Sequence, residues 1–334
     1  MTTIQLGAVT FYPYGLVLGA GALVCFLLMN ARCRRLQLKT EAAEWFAVFA
    51  VPLGVLLARL LYFLVSLPWF IDRGIGTFFH FSEGGYMLYG AMAGVAAAAW
   101  ISGAITRQPP ARILDAAAAP FALFVAVARG AESLVGIGYG EYIEEWFDPF
   151  FERSMIQLED ASFFQRFPFG VLDADGYWRF PVFLLETVVA LAIFFYLLRV
   201  RCRRDGTAAL LFLALYAGLQ AFLESTCIDL ELRWGFVKIN QLAALPVMAL
   251  IFGACILRTP ASERSVRRFA PSAAGILACC GVIMAMEFAM EDKIGFLTWM
   301  RMDLCWAVML LAAIGMAVTA CHMILGTDRL DPRR

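Results

Sequence analysis

The sequence predicts an all-α membrane protein, a polytopic transmembrane bundle of about nine helices. Of its 334 residues, 62% are hydrophobic and 16% are charged, and the mean hydropathy is +0.74. An ordinary soluble domain has roughly 45–50% apolar and about 25% charged residues. One water-soluble core cannot bury this excess of apolar side chains, so the composition places most of the chain in a lipid bilayer.

The apolar residues fall into runs of membrane-spanning length. A hydrocarbon core about 30 Å thick requires roughly 20 apolar residues per helix. The qualifying runs are Phe11–Met29, Trp45–Pro68, Tyr86–Ile105, Ile113–Val135, Phe180–Leu198, Ala208–Glu224, Gln241–Leu257, Ala273–Met290 and Leu304–Leu325. No run alternates with a period of two, which favours helices over a barrel. Arg32, the first charge, follows the first run, so we expect that run to stay in the membrane rather than be cleaved.

The basic residues predict the orientation of these spans. Most Lys and Arg outside the runs lie in the loop after the first run and in every second loop thereafter, for example around Arg34 and Arg203. Such basic loops remain in the cytoplasm. We therefore predict an N-terminus outside and a cytoplasmic C-terminus. The long, aromatic and acidic loop of residues 136–179 is then outside, as a surface cap or as a lid that contacts substrate. Its segment Tyr142–Ile156 could form an interfacial helix.

The composition argues against several partners. The 27 basic residues balance 27 acidic ones, so no positive field favours a nucleic-acid partner. The nine cysteines show no CxxC spacing, and two histidines are too few for a typical zinc site. We predict neither a metal site nor a cofactor.

Charged residues inside the spans are the main candidates for function. Each costs at least about 2.5 kcal/mol at the centre of a bilayer. They are Arg59, Arg129, Glu132, Glu186, Glu224 and Glu287. They either neutralise one another and fix helix packing, or line a cavity for an anionic ligand. We favour the cavity, because arginine binds a phosphodiester bidentately.

Several short segments then point to a known family. They are Tyr14-Gly15 in the first run, Leu57–Tyr62, Glu83–Gly94, Arg129–Glu132, Phe180-Pro181, Leu184–Glu186, Tyr216 with Glu224, and Asn240–Leu242 ahead of Pro246. In this order, residues 8–257 resemble the prolipoprotein diacylglyceryl transferases. The resemblance implies a seven-helix transferase-like core at residues 1–257, which includes the outer loop 136–179. Residues 258–334 then form two additional helices and a basic tail.

The resemblance also implies an activity. The family transfers the diacylglyceryl group of phosphatidylglycerol to the lipobox cysteine thiol of a preprolipoprotein and releases glycerol phosphate. We therefore expect an enzyme that catalyses this transfer or a closely related lipid transfer, monomeric in the bacterial inner (plasma) membrane. Its partners would be phosphatidylglycerol, or a similar anionic phospholipid, and the preprolipoprotein signal peptide.

The resemblance, together with the chemistry of the residues present, gives candidate roles to individual residues. Arg129 and Arg59 would clamp the phosphate, and Tyr14 and Tyr89 would donate hydrogen bonds to the headgroup. Glu132 and Glu224 would act as acid or base, and Gln241 would orient the headgroup. Gly84, Gly85 and Gly90 would allow close approach of a lipid chain or a neighbouring helix. We expect Glu186 to be a structural partner of one of the arginines.

The chain departs from the family pattern at several positions. The family's histidine is Tyr89 here, its asparagine is Glu132, and one of its arginines is Gln220. Tyrosine, with a pKa near 10, is a poor base at neutral pH, so Glu132 or Glu224 would take the thiol proton. Two alternatives remain open: a catalytically degenerate homologue that binds or presents phospholipid, and a transporter. No internal repeat is visible, which weighs against the transporter.

Overall fold

The fold is known from a computed structural model that describes residues 4–6, 9–81, 84–143, 164–228, 233–234, 237–291, 293–297, 300 and 302–330. Its α-helices in this part of the chain are α1 (Pro13–Arg35), α2 (Thr40–Val65), α3 (Leu67–Arg73), α4 (Leu88–Thr106), α5 (Pro110–Ala131), α6 (Val182–Arg199), α7 (Thr207–Thr226), α8 (Ile239–Arg258), α9 (Val266–Met290) and α10 (Met302–Asp328). All but the short α3 are long and apolar enough to span a membrane. The predicted helical bundle and its nine spans are confirmed over these residues. The predicted interfacial helix falls largely outside them.

Three small antiparallel hairpins precede spanning helices. They are β1 (Ile4–Leu6) with β2 (Val9–Phe11), β3 (Val171–Leu172) with β4 (Trp178–Arg179), and β5 (Arg233–Trp234) with β6 (Val237–Lys238). They lead into α1, α6 and α8 respectively. These are alternate spans, so the three hairpins lie at the same end of the bundle.

Helix boundaries follow the local sequence. Pro13 and Pro110 stand at the starts of α1 and α5, where the missing N–H costs nothing. α1 continues beyond the predicted Met29 to Arg35, with basic side chains in its last turn. Cations there interact favourably with the negative end of the helix dipole. The apolar pattern therefore located the span but not its charged end.

Glycines bring α4 close to α2. A Cβ atom on Gly90 would lie 2.7 Å from the Cα of Ala58, and one on Gly94 would lie 2.6 Å from the Cα of Gly54. Only glycine permits this approach, so the GxxxG segment serves helix packing in this structure. The predicted lipid contact of Gly90 stays a prediction.

The last two helices share the main apolar core with their predecessors. Buried residues of that core come from every spanning helix from α5 to α10, including Leu211, Ile251 and Met309. On α7, a Cβ atom on Gly218 would lie 2.9 Å from the Cβ of Ala317 on α10. The pair α9–α10 is thus packed directly on α7 and α8. The division at residue 257 stays a prediction.

Two aspartates fasten the opposite end of the bundle. Asp115 accepts hydrogen bonds from the backbone N–H groups of Gly206 and Ala209, at 2.5 and 3.1 Å. Asp328, the last residue of α10, accepts them from the Arg204 N–H at 2.8 Å and the Thr207 hydroxyl at 2.9 Å. These acids satisfy backbone donors at the start of α7 that would otherwise lack partners. They also tie α5 and α10 to the loop between α6 and α7.

Candidate active site

Most of the predicted site residues lie at one end of the bundle. Tyr14, Tyr89 and Gln241 are in the first turns of α1, α4 and α8. Arg129 and Glu224 are in the last turns of α5 and α7. Successive spans run in opposite directions, so these helix ends meet on one side. It is also the side of the three hairpins.

Arg129 is at the centre of this side. Its Nη1 lies 2.9 Å from Glu132 Oε1, and its Nε lies 3.1 Å from Glu186 Oε2. Its Nη2 donates to the Tyr216 hydroxyl at 3.5 Å. The expected pairing of Glu186 with an arginine is confirmed. One guanidinium thus joins carboxylates from the ends of α5 and α6.

A row of amides and carboxylates continues from there. Gln220 Nε2 donates to Glu186 Oε1 and to Glu224 Oε2, at 2.9 Å each. Asn240 Nδ2 then donates to Glu224 Oε1 at 2.6 Å. We call these five residues, Arg129, Glu186, Gln220, Glu224 and Asn240, the polar row. It connects α5, α6, α7 and α8 through side chains alone.

The two predicted tyrosines adjoin the polar row. Tyr14 is within electrostatic reach of Glu132 and Arg129, and Tyr89 is within reach of Glu224 and Arg129. The Tyr89 hydroxyl is buried and has no hydrogen-bond partner among the described residues. The same holds for the side-chain oxygens of Gln220 and Gln241. Buried polar atoms without partners are rare and call for a ligand or water.

A glycine loop supports Glu132 after the end of α5. Gly136 and Gly138 have positive φ angles of 72° and 82°, which favour glycine. A Cβ atom on Gly138 would lie 2.9 Å from Glu132 Oε2. The Gly138 carbonyl accepts a hydrogen bond from the Phe183 N–H at 2.8 Å. The loop is therefore held against the start of α6 and leaves room for the Glu132 carboxylate.

Arg59 has a different environment. Its guanidinium donates to backbone carbonyl oxygens of five residues, at distances of 3.0–3.3 Å apart from a shorter one to Gly84: Thr77, Phe78, His80, Gly84 and Gly85. Arginine has five N–H donors, and all five are used here. Arg59 therefore fastens the segment between α3 and α4. Its predicted role as a phosphate clamp stays a prediction.

Gly84 and Gly85 belong to this segment. Their φ angles are 78° and 76°, in the region that favours glycine. A Cβ atom on Gly85 would lie 2.7 Å from Arg59 Nη1. In this structure both glycines permit a tight turn around a guanidinium. The structure brings Arg129, Glu132, Glu224, Tyr14 and Tyr89 together, and it places Arg59 and its glycines in a separate arrangement.

Gln241 joins the site to the last two helices. Its Nε2 donates to the Ala221 carbonyl at 3.1 Å and to Glu287 Oε1 at 2.5 Å. Glu287 is buried in the last turn of α9. One of the two hydrogen-bond acceptors of Gln241, Glu287, thus comes from the predicted additional helices.

Comparison with known proteins assigns the chain to a family. The model for prolipoprotein diacylglyceryl transferase matches residues 1–257, about three quarters of the chain. The chain belongs to that family. It is 27% identical over 265 residues to the phosphatidylglycerol–prolipoprotein diacylglyceryl transferase of Symbiobacterium thermophilum, which covers 78% of this chain and 94% of the relative. The protein of the same name from Listeria innocua is 24% identical over 263 residues, covering 76% and 88% respectively.

Family membership makes the chain a transferase and a multi-pass bacterial membrane protein. The polar row, Glu132 and both tyrosines lie inside the residues that the family model matches. Helices α9 and α10 lie beyond them. Glu287 therefore contacts the family's core from outside the matched region.

Three residues of this site were not predicted as such from the sequence. Tyr216 and Asn240 were noted only as parts of motifs, yet they contact Arg129 and Glu224 respectively. The Lys238 ammonium is buried and donates to the carbonyls of Glu224 and Cys227, where α7 ends. The available signal was its place in the loop that follows α7, because a cation is stabilised at a helix C-terminus.

An apolar cavity of about 250 Å³ lies beside the site. Its lining includes Leu185 on α6, Phe222 on α7, and Trp306 and Leu310 on α10. No residue of the polar row lines it. A lining of this kind suits hydrocarbon rather than phosphate.

Proposed function

We propose that this chain transfers the diacylglyceryl group of phosphatidylglycerol to the lipobox cysteine thiol of a preprolipoprotein. The observation that carries the proposal is the largely buried polar row within the family-matched region, where the oxygens of Tyr89 and Gln220 have no hydrogen-bond partner among the described residues. Relatives that span the same region bear the corresponding name.

The reaction exchanges one bond for another. The cysteine sulfur attacks the glycerol carbon that carries the phosphate ester, so a C–S bond forms as the C–O bond breaks. The oxygen and its electron pair leave with glycerol phosphate, and the thiol proton passes to a base. Negative charge grows on the departing phosphate, and a fixed cation at that point stabilises the transition state. Arg129 supplies this cation.

The identity of the proton acceptor follows from which carboxylate competes with the lipid phosphate for Arg129. A phosphate that binds both Nη atoms of Arg129 competes with the Glu132 carboxylate on Nη1, whereas Glu186 is bound at Nε. The Glu186 side chain is 6% exposed and is also bound by Gln220, whereas that of Glu132 is 13% exposed and lies beyond the end of α5. We infer that Glu132 is displaced and accepts the proton. Glu224 is the second candidate.

The proposal includes an orientation and an assembly state. The basic last turn of α1 lies at the end of the bundle opposite to the polar row. With basic segments in the cytoplasm, the N-terminus and the site are at the outer face of the bacterial inner membrane, and the C-terminus is inside. We further propose that the protein acts as a monomer, which binds phosphatidylglycerol and the signal peptide of a preprolipoprotein.

The test uses the purified protein in vesicles with a lipobox peptide. We expect mass spectrometry to show a diacylglyceryl thioether when phosphatidylglycerol is present and none with phosphatidylethanolamine alone. Arg129→Ala should lower the rate at least about 100-fold, the usual effect of removing a group that stabilises developing charge. The control is Arg267→Ala on exposed α9 surface, which should change the rate less than about twofold.

Either of two outcomes would contradict the proposal. The first is a wild-type protein that binds phosphatidylglycerol without modifying the peptide, which would identify a lipid-presenting homologue. The second is transfer that survives Arg129→Ala unchanged.

A further inference from the structure

Glu287 is a buried carboxylate that the proposed reaction does not use. It is 6% exposed, lies in the last turn of α9, and falls outside the family-matched residues. A carboxylate at this depth is costly unless it is hydrogen-bonded. Its Oε1 accepts a hydrogen bond from Gln241 Nε2 at 2.5 Å. This contact crosses from the additional helices into the core of the family.

The contact fixes the orientation of the Gln241 amide. Its nitrogen donates both to Glu287 and to the Ala221 carbonyl. Rotating the amide by half a turn would place its oxygen against two acceptors, which is unfavourable. The Gln241 side-chain oxygen is consequently held away from both, and it has no hydrogen-bond partner among the described residues.

The Gln241 oxygen, which has no partner among the described residues, lies in the first turn of α8, at the same end of the bundle as the polar row. Gln241 directly follows Asn240, and its second acceptor, Ala221, directly follows Gln220. A carbonyl oxygen accepts hydrogen bonds and repels phosphate oxygens, so its complement is a hydroxyl group. The headgroup of phosphatidylglycerol carries two hydroxyls next to its phosphate.

We propose that Glu287 is a positioning residue: it holds the Gln241 amide so that the side-chain oxygen accepts a hydrogen bond from a hydroxyl of the lipid headgroup. This rests on the proposed function for the identity of the lipid. It assigns the additional helices a part in recognising the headgroup. Glu287 acts through Gln241 and does not itself contact the lipid.

The test measures lipid binding rather than turnover. Dissociation constants are obtained for the full-length protein in detergent by displacement of a fluorescent phosphatidylglycerol. The competitors are phosphatidylglycerol and phosphatidylpropanol, whose headgroup has the same phosphate but no hydroxyl. We expect Glu287→Ala to weaken phosphatidylglycerol binding about three- to tenfold, the loss of one hydrogen bond. Phosphatidylpropanol binding should change less than about twofold.

Four further variants separate positioning from a general loss of structure. Glu287→Gln keeps an acceptor oxygen for Gln241, so it should bind both lipids like the wild type. Gln241→Ala should reproduce Glu287→Ala, and the double variant should add nothing, because both remove the same bond. Glu291→Ala, one turn further along and exposed, is the matched control and should have no effect.

The results that would overturn the proposal are distinct from failure of the proposed function. If Glu287→Ala weakens both lipids equally or neither of them, the positioning role is wrong, even when the wild type lipidates its peptide. If the wild type forms no thioether while the two lipids respond as expected, the transferase proposal fails and the positioning role stands.

Discussion

Gln220 holds two buried carboxylates with a single amide group. Its nitrogen donates to Glu186 on α6 and to Glu224 on α7, the helix that carries Gln220 itself. Hydrogen bonds to charged acceptors contribute about 1.5–3 kcal/mol each. The family resemblance leads us to expect an arginine at position 220. The neutral Gln220 amide instead donates hydrogen bonds to both carboxylates without adding a positive charge. Arg129 is therefore the guanidinium within the polar row.

We predict that Gln220→Glu destabilises the protein and lowers transfer at least about tenfold. The substitution replaces a donor with a third carboxylate between two others, and like charges at this distance repel. Thermal unfolding in detergent and the peptide lipidation rate measure the two effects. Gln37→Glu, at an exposed loop position, is the control and should leave both unchanged. Equal behaviour of the two variants would contradict this account of Gln220.

Tyr89→Phe should separate stability from activity. The hydroxyl has no protein partner among the described residues, so its removal breaks no hydrogen bond given by the structure. We expect an unchanged unfolding temperature and a phosphatidylglycerol-dependent rate that is about three- to tenfold lower. Tyr216→Phe is the comparison, because its hydroxyl accepts a hydrogen bond from Arg129. A lower unfolding temperature for Tyr89→Phe would show that the hydroxyl serves the fold.

Some of these residue contacts could be predicted from the sequence and others could not. Arg129 and Glu132 are three apart on a predicted helix, so their pairing followed from helix geometry. Gln220 and Glu186 are 34 positions apart in the sequence, and only the packing of their helices brings them together. The acceptors of Arg59 are backbone carbonyls of the segment between α3 and α4, and no pattern of side chains in the sequence predicts such contacts.

Among elements, the contact between α2 and α4 depends most on side-chain size. We predict that Gly90→Ala lowers the free energy of unfolding by about 1–3 kcal/mol, because the new methyl group would meet the α2 backbone. Gly19→Ala on α1 is the matched control: nothing lies within 4 Å of its added Cβ, and alanine favours the helix. Denaturation of both variants in the same detergent checks this. Equal stabilities would refute the close packing.

The sequence predicted the membrane-spanning helices more reliably than it predicted the short strands. A run of about 20 apolar residues predicts a helix whatever its neighbours are. The hairpin at Val171–Arg179 has two-residue strands, and the bridge of Tyr142 with Arg179 comes from another part of the loop. Such strands depend on tertiary contacts, because an isolated hairpin is marginally stable in water.

For the whole molecule, we predict that the C-terminus is cytoplasmic. Successive spans alternate in direction, and the end of α10 lies with the basic ends of α1 and α6. A green fluorescent protein fused after residue 334 should therefore fluoresce in cells, and alkaline phosphatase at the same point should be inactive. A fusion of each reporter to the N-terminus should give the reverse pattern. Active phosphatase at the C-terminus would contradict this topology and would show that the site lies at the inner face of the membrane.

The last two helices are anchored at both membrane surfaces. Glu287 binds Gln241 on one side, and Asp328 binds the N–H of Arg204 and the hydroxyl of Thr207 on the other. Outward movement of this helix pair would therefore have to break buried hydrogen bonds at either membrane surface. Among the described spans, α1 and α2 on the opposite wall have the smallest buried share, so most of their surface is left to the surrounding bilayer.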